Sequence, residues 1–251
     1  MKSSDFLKRI RNEPENFYII HYSCQNLNDD NEGLSPRITS VAVMHYATDQ
    51  VMSFSTHAIA EELGIARGDV PAYFDAIERE MLKQLYDFVR DRRDRYWIHW
   101  NMRNATYGFE HLAHRYKVLT GENAPSIPPE RRINLSDILK GRYGYDYATH
   151  PRLENLMEQN GGQHRDFLKG KEEVTAFEQG RYMELHKSTI TKVSFFRHVI
   201  GAMKAGKLNV SSRSIGVRVD QLLESRGSKV FALIATAVGL VVGIIGLIVA
   251  A

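Results

Sequence analysis

Three short apolar runs open the chain, and each carries the two-residue alternation of a strand. Phe17–Cys24 (FYIIHYSC) begins as a continuous hydrophobic run. It then sets His21 and Ser23, followed by Gln25, on one side against Tyr22 and Cys24 on the other. Residues 37–47 (RITSVAVMHYA) are a β-branched run bounded by Pro36. Residues 50–57 (QVMSFSTH) follow after only Thr48 and Asp49, the spacing of an antiparallel hairpin. Between the first two runs lies NLNDDNEGLSP, rich in turn formers.

Beyond residue 70 the period changes to that of a helix. Residues 71–92 put Phe74, Ile77, Met81, Leu85 and Phe88 on one stripe. RYWIHW (95–100) reads as a short strand, 107–116 as a helix with Phe109, Leu112 and Tyr116 inward, and 132–135 as a further strand before a helix starting at Asp137. After the loop GRYGYDYATHP come helices at Arg152–Gln159, ended by Gly161 and Gly162, at 171–180 and at 182–204. The last has Leu185, Val193, Phe196, Ile200 and Met203 on its stripe. Docking of that stripe on the domain leaves Thr189, Thr191 and Ser194 outward; pairing with a second copy is the alternative. Residues 1–16 read as a short helical arm ending at Pro14. The order of three strands, helix, strand, helix, strand and helices predicts an α/β fold with a mixed sheet whose first hairpins are antiparallel.

The C-terminal run breaks both periods. Residues 230–251 (VFALIATAVGLVVGIIGLIVAA) carry no charge and as a helix measure about 33 Å, enough to cross a hydrocarbon core of about 30 Å. Arg213, Arg218, Arg226 and Lys229 precede it, as the positive-inside rule expects of a cytoplasmic flank. A single C-terminal membrane anchor is expected. Ala235, Gly239 and Gly243, with Gly246 a turn on, make a small-residue face on which another helix packs, giving a route to a homo-oligomer.

Charge separates the same regions. Of 33 Lys/Arg and 30 Asp/Glu, residues 181–251 hold 10 and 3, leaving 23 and 27 in residues 1–180, a net of −4. The basicity that gives the chain its net +3 therefore belongs to its C-terminal part, which weakens any inference from charge to a DNA-binding face. One cysteine, Cys24, excludes an internal disulfide, and the N-terminus lacks the apolar core of a signal peptide; a reducing cytoplasm is expected for the soluble part. The expected organisation is an arm (1–16), a domain (17–182), a basic helical stalk (183–229) and a transmembrane helix (230–251).

The motifs in this order resemble the DnaQ-like (DEDD) 3′–5′ exonuclease family, over about residues 17–182. YIIHYSCQNL resembles its first motif, an apolar strand carrying an Asp-x-Glu pair. YWIHWNMRNATYGFEHLAHRY resembles the second, a strand reaching an Asn and then an Asp at the head of a helix. RINLSDILKGRYG and HPRLENLMEQNGGQHR resemble the segments between the second and third motifs. The resemblance implies a ribonuclease H-like mixed sheet with flanking helices. Members hold two divalent metals on four carboxylates, hard oxygen ligands that suit Mg²⁺ or Mn²⁺. Here His21 and Ser23 stand where the first pair belongs, and no acid stands near Asn104, Ala105 and Thr106. In GKEEVTAFEQG the residues Glu172, Glu173 and Glu178 leave the third acid unassigned. At least three of four carboxylates are missing, so loss of catalysis is expected, with no metal or other cofactor. Asn101 matches the second-motif Asn, or is simply a turn or cap residue.

Other chemistry is weaker. His21, His45 and His99 lie on three strands and His111 and His114 share a helix face, without an HExxH or Cys/His zinc spacing. A Cys24–His21 nucleophile pair fails because odd spacing puts the two on opposite faces. Tyr143, Tyr145 and Tyr147 with Arg142 form a candidate base-stacking ladder, or an aromatic loop over the core. The expectation is a cytoplasm-facing, non-catalytic binding or sensor protein at a bacterial inner membrane, of the kind used in phage defence. Its former catalytic cleft (His21, Ser23, Asn101, Asn104) would take a nucleotide, a nucleic-acid end or a protein partner. The alternatives are an oligomerising effector that disrupts the bilayer, and a nuclease rewired around His21, Ser23 and Asn101.

Overall fold

The computed structural model describes residues 1–25, 35–103, 107–162 and 164–211. Five strands form one mixed sheet: β1 (Phe17–Cys24), β2 (Ile38–His45), β3 (Val51–Ser55), β4 (Tyr96–His99) and β5 (Arg132–Asn134). The helices are α1 (Ser3–Asn12), α2 (Thr56–Glu62), α3 (Phe74–Arg90), α4 (Phe109–Thr120), α5 (Leu135–Tyr143), α6 (Arg152–Gln159), α7 (Gly170–Glu178) and α8 (Tyr182–Ala205). The strand order is β3-β2-β1-β4-β5; β1–β2 and β2–β3 are antiparallel, β1–β4 and β4–β5 parallel. The fold is α/β, as the pattern predicts.

Alternation along the strands assigns two cores. Phe17, Ile19, Ala42, Met44 and Ile98 face a layer that includes Phe6, Leu139, Leu156, Val193 and Phe196. Ile20, Tyr22, Val41, Val43 and Trp97 face Ile77, Met81, Leu85 and Leu112 from α3 and α4. With both faces covered, β1 and β2 are buried almost throughout, which explains their near-continuous apolar runs.

Residues 183–205, expected to begin a stalk, instead lie in α8, which crosses β1 and β2 and belongs to the domain core. The helix stops at Gly206, whose φ of +67° is the left-handed conformation a C-terminal cap needs; its N–H returns to the Ala202 and Met203 carbonyls. Thr189 is buried on the face of this helix that meets the sheet, against the expectation that it faces outward. The sequence also misses α2, whose first two residues were read as the end of a strand. Among the described residues no helix is long and apolar enough to cross a membrane. The expected anchor, with Ala235, Gly239, Gly243 and Gly246, and the rest of the expected stalk lie outside the described residues.

Candidate functional site

The strand β1 is where antiparallel pairing on one side meets parallel pairing on the other. Crevices in open α/β sheets form at the carboxyl ends of strands around such a switch point. His21 and Ser23 sit at that end of β1, on the face that α8 covers, and Trp100 and Asn101 follow β4 at the same edge. A cavity of ≈190 Å³ opens there, with His21, Ser23, Trp100, Tyr107, Phe167, Glu173 and Lys192 in its wall.

Two hydrogen-bonded groups make the polar part of this wall. In the first, Ser23 Oγ donates to Glu173 Oε1 at 2.9 Å, and Lys192 Nζ donates to the same oxygen at 2.7 Å. Thr189 Oγ1 lies 2.9 Å from Ser23 Oγ and 2.6 Å from Ser40 Oγ, and donates to the Leu185 carbonyl. Ser188 Oγ adds a long 3.4 Å contact to Glu173. The Lys192 ammonium also lies 5.3 Å from the centroid of the Phe167 ring. One carboxylate, one ammonium and four hydroxyls make up this group.

In the second group, Tyr107 Oη donates to the Tyr22 carbonyl at 3.1 Å and lies 3.2 Å from His21 Nδ1. The carbonyl can only accept, so the single phenolic hydrogen is committed to it, and His21 carries its proton on Nδ1. Burial, reinforced by the Lys192 charge, holds the His21 pKa well below its ordinary value, and the ring is neutral. Burial likewise keeps the Tyr107 phenol protonated, its pKa well above 10. The Phe196 ring meets His21 edge-on at 5.7 Å and stacks on Trp100 at 5.6 Å, so α8 fixes this wall as well.

Asn101 stands at the mouth with φ of +52°, a left-handed conformation that Asn adopts more readily than most residues. Its N–H donates to Asn134 Oδ1, and its own Oδ1 accepts from Asn134 Nδ2 and an Arg103 guanidinium nitrogen. Asp137 accepts from the same two partners and closes the cluster. Asn101 is a turn residue whose carbonyl oxygen is held by β5 and Arg103, next to the cavity. Asn104 lies outside the described residues.

Other candidates separate. His45 lies opposite Tyr18, three residues down β1 from His21, and its nitrogens face Thr48 Oγ1 and the Glu15 carbonyl. His99 accepts from the Met102 N–H, and His111 bridges the Tyr22 phenol and the Pro36 carbonyl. Among the described residues no three His, Cys, Asp or Glu side chains stand together as metal ligands. The donors in the cleft do not fit a two-metal centre either, because Glu173 already neutralises Lys192. Tyr143 and Tyr147 are buried in the core and only Tyr145 is exposed, so the tyrosines form no open ladder.

Lys192, Thr189 and Ser188 were missed from the sequence as site residues, and Glu173 was left among three candidates. The signal was present: all three α8 residues interrupt the apolar stripe defined by Leu185, Val193 and Phe196. Compared with known proteins, the chain matches no family model and no curated sequence.

Proposed function

We propose that this chain is a membrane-anchored, exonuclease-like protein whose cleft binds a ligand and no longer cuts one. The observation that carries the reading is the set of side chains at the carboxyl end of β1, where the motif resemblance expects metal-binding acids. His21 is neutral and held by Tyr107, while Ser23 donates to a Glu173 carboxylate already paired with Lys192. A two-metal phosphodiesterase needs several carboxylates free to bind cations, and this wall offers one, neutralised. The strand order, with antiparallel β3-β2-β1 continued by parallel β4 and β5, is compatible with a ribonuclease H-like sheet and supports the motif resemblance. The uncharged run at 230–251, with basic residues before it, supports anchoring to a bacterial inner membrane with the domain in the cytoplasm. A role as the sensing part of a phage-defence system is the biological form of this reading, by analogy of fold alone.

Trp100 gives the test a built-in reporter, since its indole lies in the cavity wall. Titrating full-length protein in detergent with mononucleotides and short oligonucleotides is expected to change the tryptophan emission, and Lys192→Ala to abolish the change. No response to any of these, or an unaltered response in the variant, contradicts nucleotide recognition in this cleft. A second reading, in which Ala235, Gly239 and Gly243 assemble helices that disturb the bilayer, rests on the spacing of those residues. Under it, replacing Gly239 and Gly243 by Leu removes toxicity and leaves ligand binding intact.

A further inference from the structure

The size and polarity of the cleft at β1 select among ligands. At ≈190 Å³ the cavity is small. A cavity of about 150 Å³ admits one benzene ring, and sites for larger ligands run from about 300 Å³ upward. One flat ring system fits inside, and a ring together with its sugar and phosphate does not. Trp100, Tyr107, Phe167, Leu153 and Leu168 make most of the wall apolar, which suits the faces of such a ring.

Two acceptors in the wall are left over from its internal bonding. His21 carries its proton on Nδ1, toward Tyr107, so its Nε2 can only accept, and that atom has no hydrogen-bond partner among the described residues. The bonds to Glu173 from Ser23, Ser188 and Lys192 all converge on Oε1, which leaves Oε2 equally without a donor among the described residues. His21 is 6% exposed and Glu173 7%, and both line the cavity. A buried acceptor without a donor costs about 1–3 kcal/mol, which N–H groups on an occupant would recover.

The charges disfavour an anion. Glu154 also lines the cavity, so two carboxylates stand against one ammonium, and Lys192 is already paired with Glu173. Arg103, which holds Asn101 at the mouth, is paired with Asp137. Among the described residues that line the cavity, no unpaired cation is offered to a phosphate.

Building on the binding role given to this cleft, we propose that it takes the uncharged, amino-bearing base of a nucleoside and leaves any phosphate in water. The ring lies between the apolar walls, its N–H groups donate to His21 Nε2 and Glu173 Oε2, and the sugar stands at the mouth. Lys192 acts as a positioning residue that holds the Glu173 carboxylate in place.

The test is titration calorimetry on full-length protein in detergent with cytidine, uridine and cytidine 5′-monophosphate. Cytidine presents an amino donor at the ring position where uridine presents a carbonyl acceptor. Cytidine is expected to bind about tenfold tighter than uridine, the worth of one buried hydrogen bond. The monophosphate is expected within about fivefold of cytidine, because an exposed phosphate gains little. His21→Phe keeps a ring and removes Nε2, and is expected to weaken cytidine about tenfold and to narrow its advantage over uridine. That variant can fail to fold, so the three wild-type titrations decide by themselves. Uridine binding as tightly as cytidine, or the monophosphate binding more than about tenfold tighter than cytidine, overturns the inference and leaves the cleft a binding site. If none of the three binds and a short oligonucleotide does, the inference falls and the binding role stands; if the oligonucleotide fails as well, both fall.

Discussion

Among the described residues two ion pairs have both side chains less than a tenth exposed, and they solve the problem of a buried charge differently. Glu78 on α3 faces Arg115 on α4 through two contacts, and its Oε1 also accepts the Ile38 N–H at 2.9 Å. Burial raises the Glu78 pKa, and the bonds from Arg115 and Ile38 oppose that rise. This pair belongs to the core between the helices and the start of β2. Glu173 and Lys192 meet through a single oxygen, share it with Ser23, and border a cavity. A two-pronged fork locks two elements together, whereas a point contact beside a cavity leaves polar capacity for something else. The first pair is therefore structural, and the second is the part of the molecule we connect with binding.

That contrast can be broken most severely at Arg115. Arg115→Ala leaves Glu78 buried without its cation, and the expected cost is about 3–5 kcal/mol in urea unfolding. A cost below about 1 kcal/mol would remove the distinction. Lys192→Met is expected to cost less, about 1–2 kcal/mol, because Glu173 keeps the Ser23 hydroxyl and the cavity admits water. Adding Glu173→Gln to Lys192→Met should recover part of that loss, and a double-mutant cycle measures the coupling. Equal costs at Arg115 and Lys192 would place both pairs in the same structural role. Smaller again, Ser23→Ala should cost about 1 kcal/mol, the worth of one buried hydrogen bond.

Acid addresses the same comparison without mutation. His99 and His111 have folded pKa values lowered by burial to about 3 and about 4, against 6.5 when unfolded. Below pH 6.5 the unfolded chain binds protons that the native state refuses, so stability is expected to fall as pH drops from about 6.5 toward 4. His111 holds the Tyr22 phenol on the α3–α4 side of the sheet. In His111→Gln the acid sensitivity of urea unfolding should diminish; an unchanged slope between pH 6.5 and 4 contradicts the assignment.

Much of the fold was legible because the long elements carry strong periods. The bounds of β1 and α6 coincide with those expected, α3, α4, α7 and α8 differ by a few residues at their ends, and α5 begins at Leu135 where Asp137 was expected. The helix α2 was not legible: at seven residues it spans two turns, too few to impose a helical period on a stretch that continues a strand. At the site, His21 and Ser23 could be read from alternation on β1. Thr189 and Lys192 could be read only as polar interruptions of the α8 stripe; that they meet Ser23 could not, since it depends on α8 crossing that strand, a tertiary contact between residues more than 160 positions apart. Asn101 fits the turn reading, because its left-handed backbone and its bonds to Asn134 and Arg103 are those of a loop anchor.

The central claim, that the cleft binds and does not cut, meets its most direct test in one assay. Full-length protein in detergent is incubated with end-labelled single-stranded DNA or RNA and either Mg²⁺ or Mn²⁺, and the products are resolved by length. The account predicts that the label stays at full length with both metals. Stepwise shortening that disappears on substituting His21, Ser23 or Glu173 would contradict it.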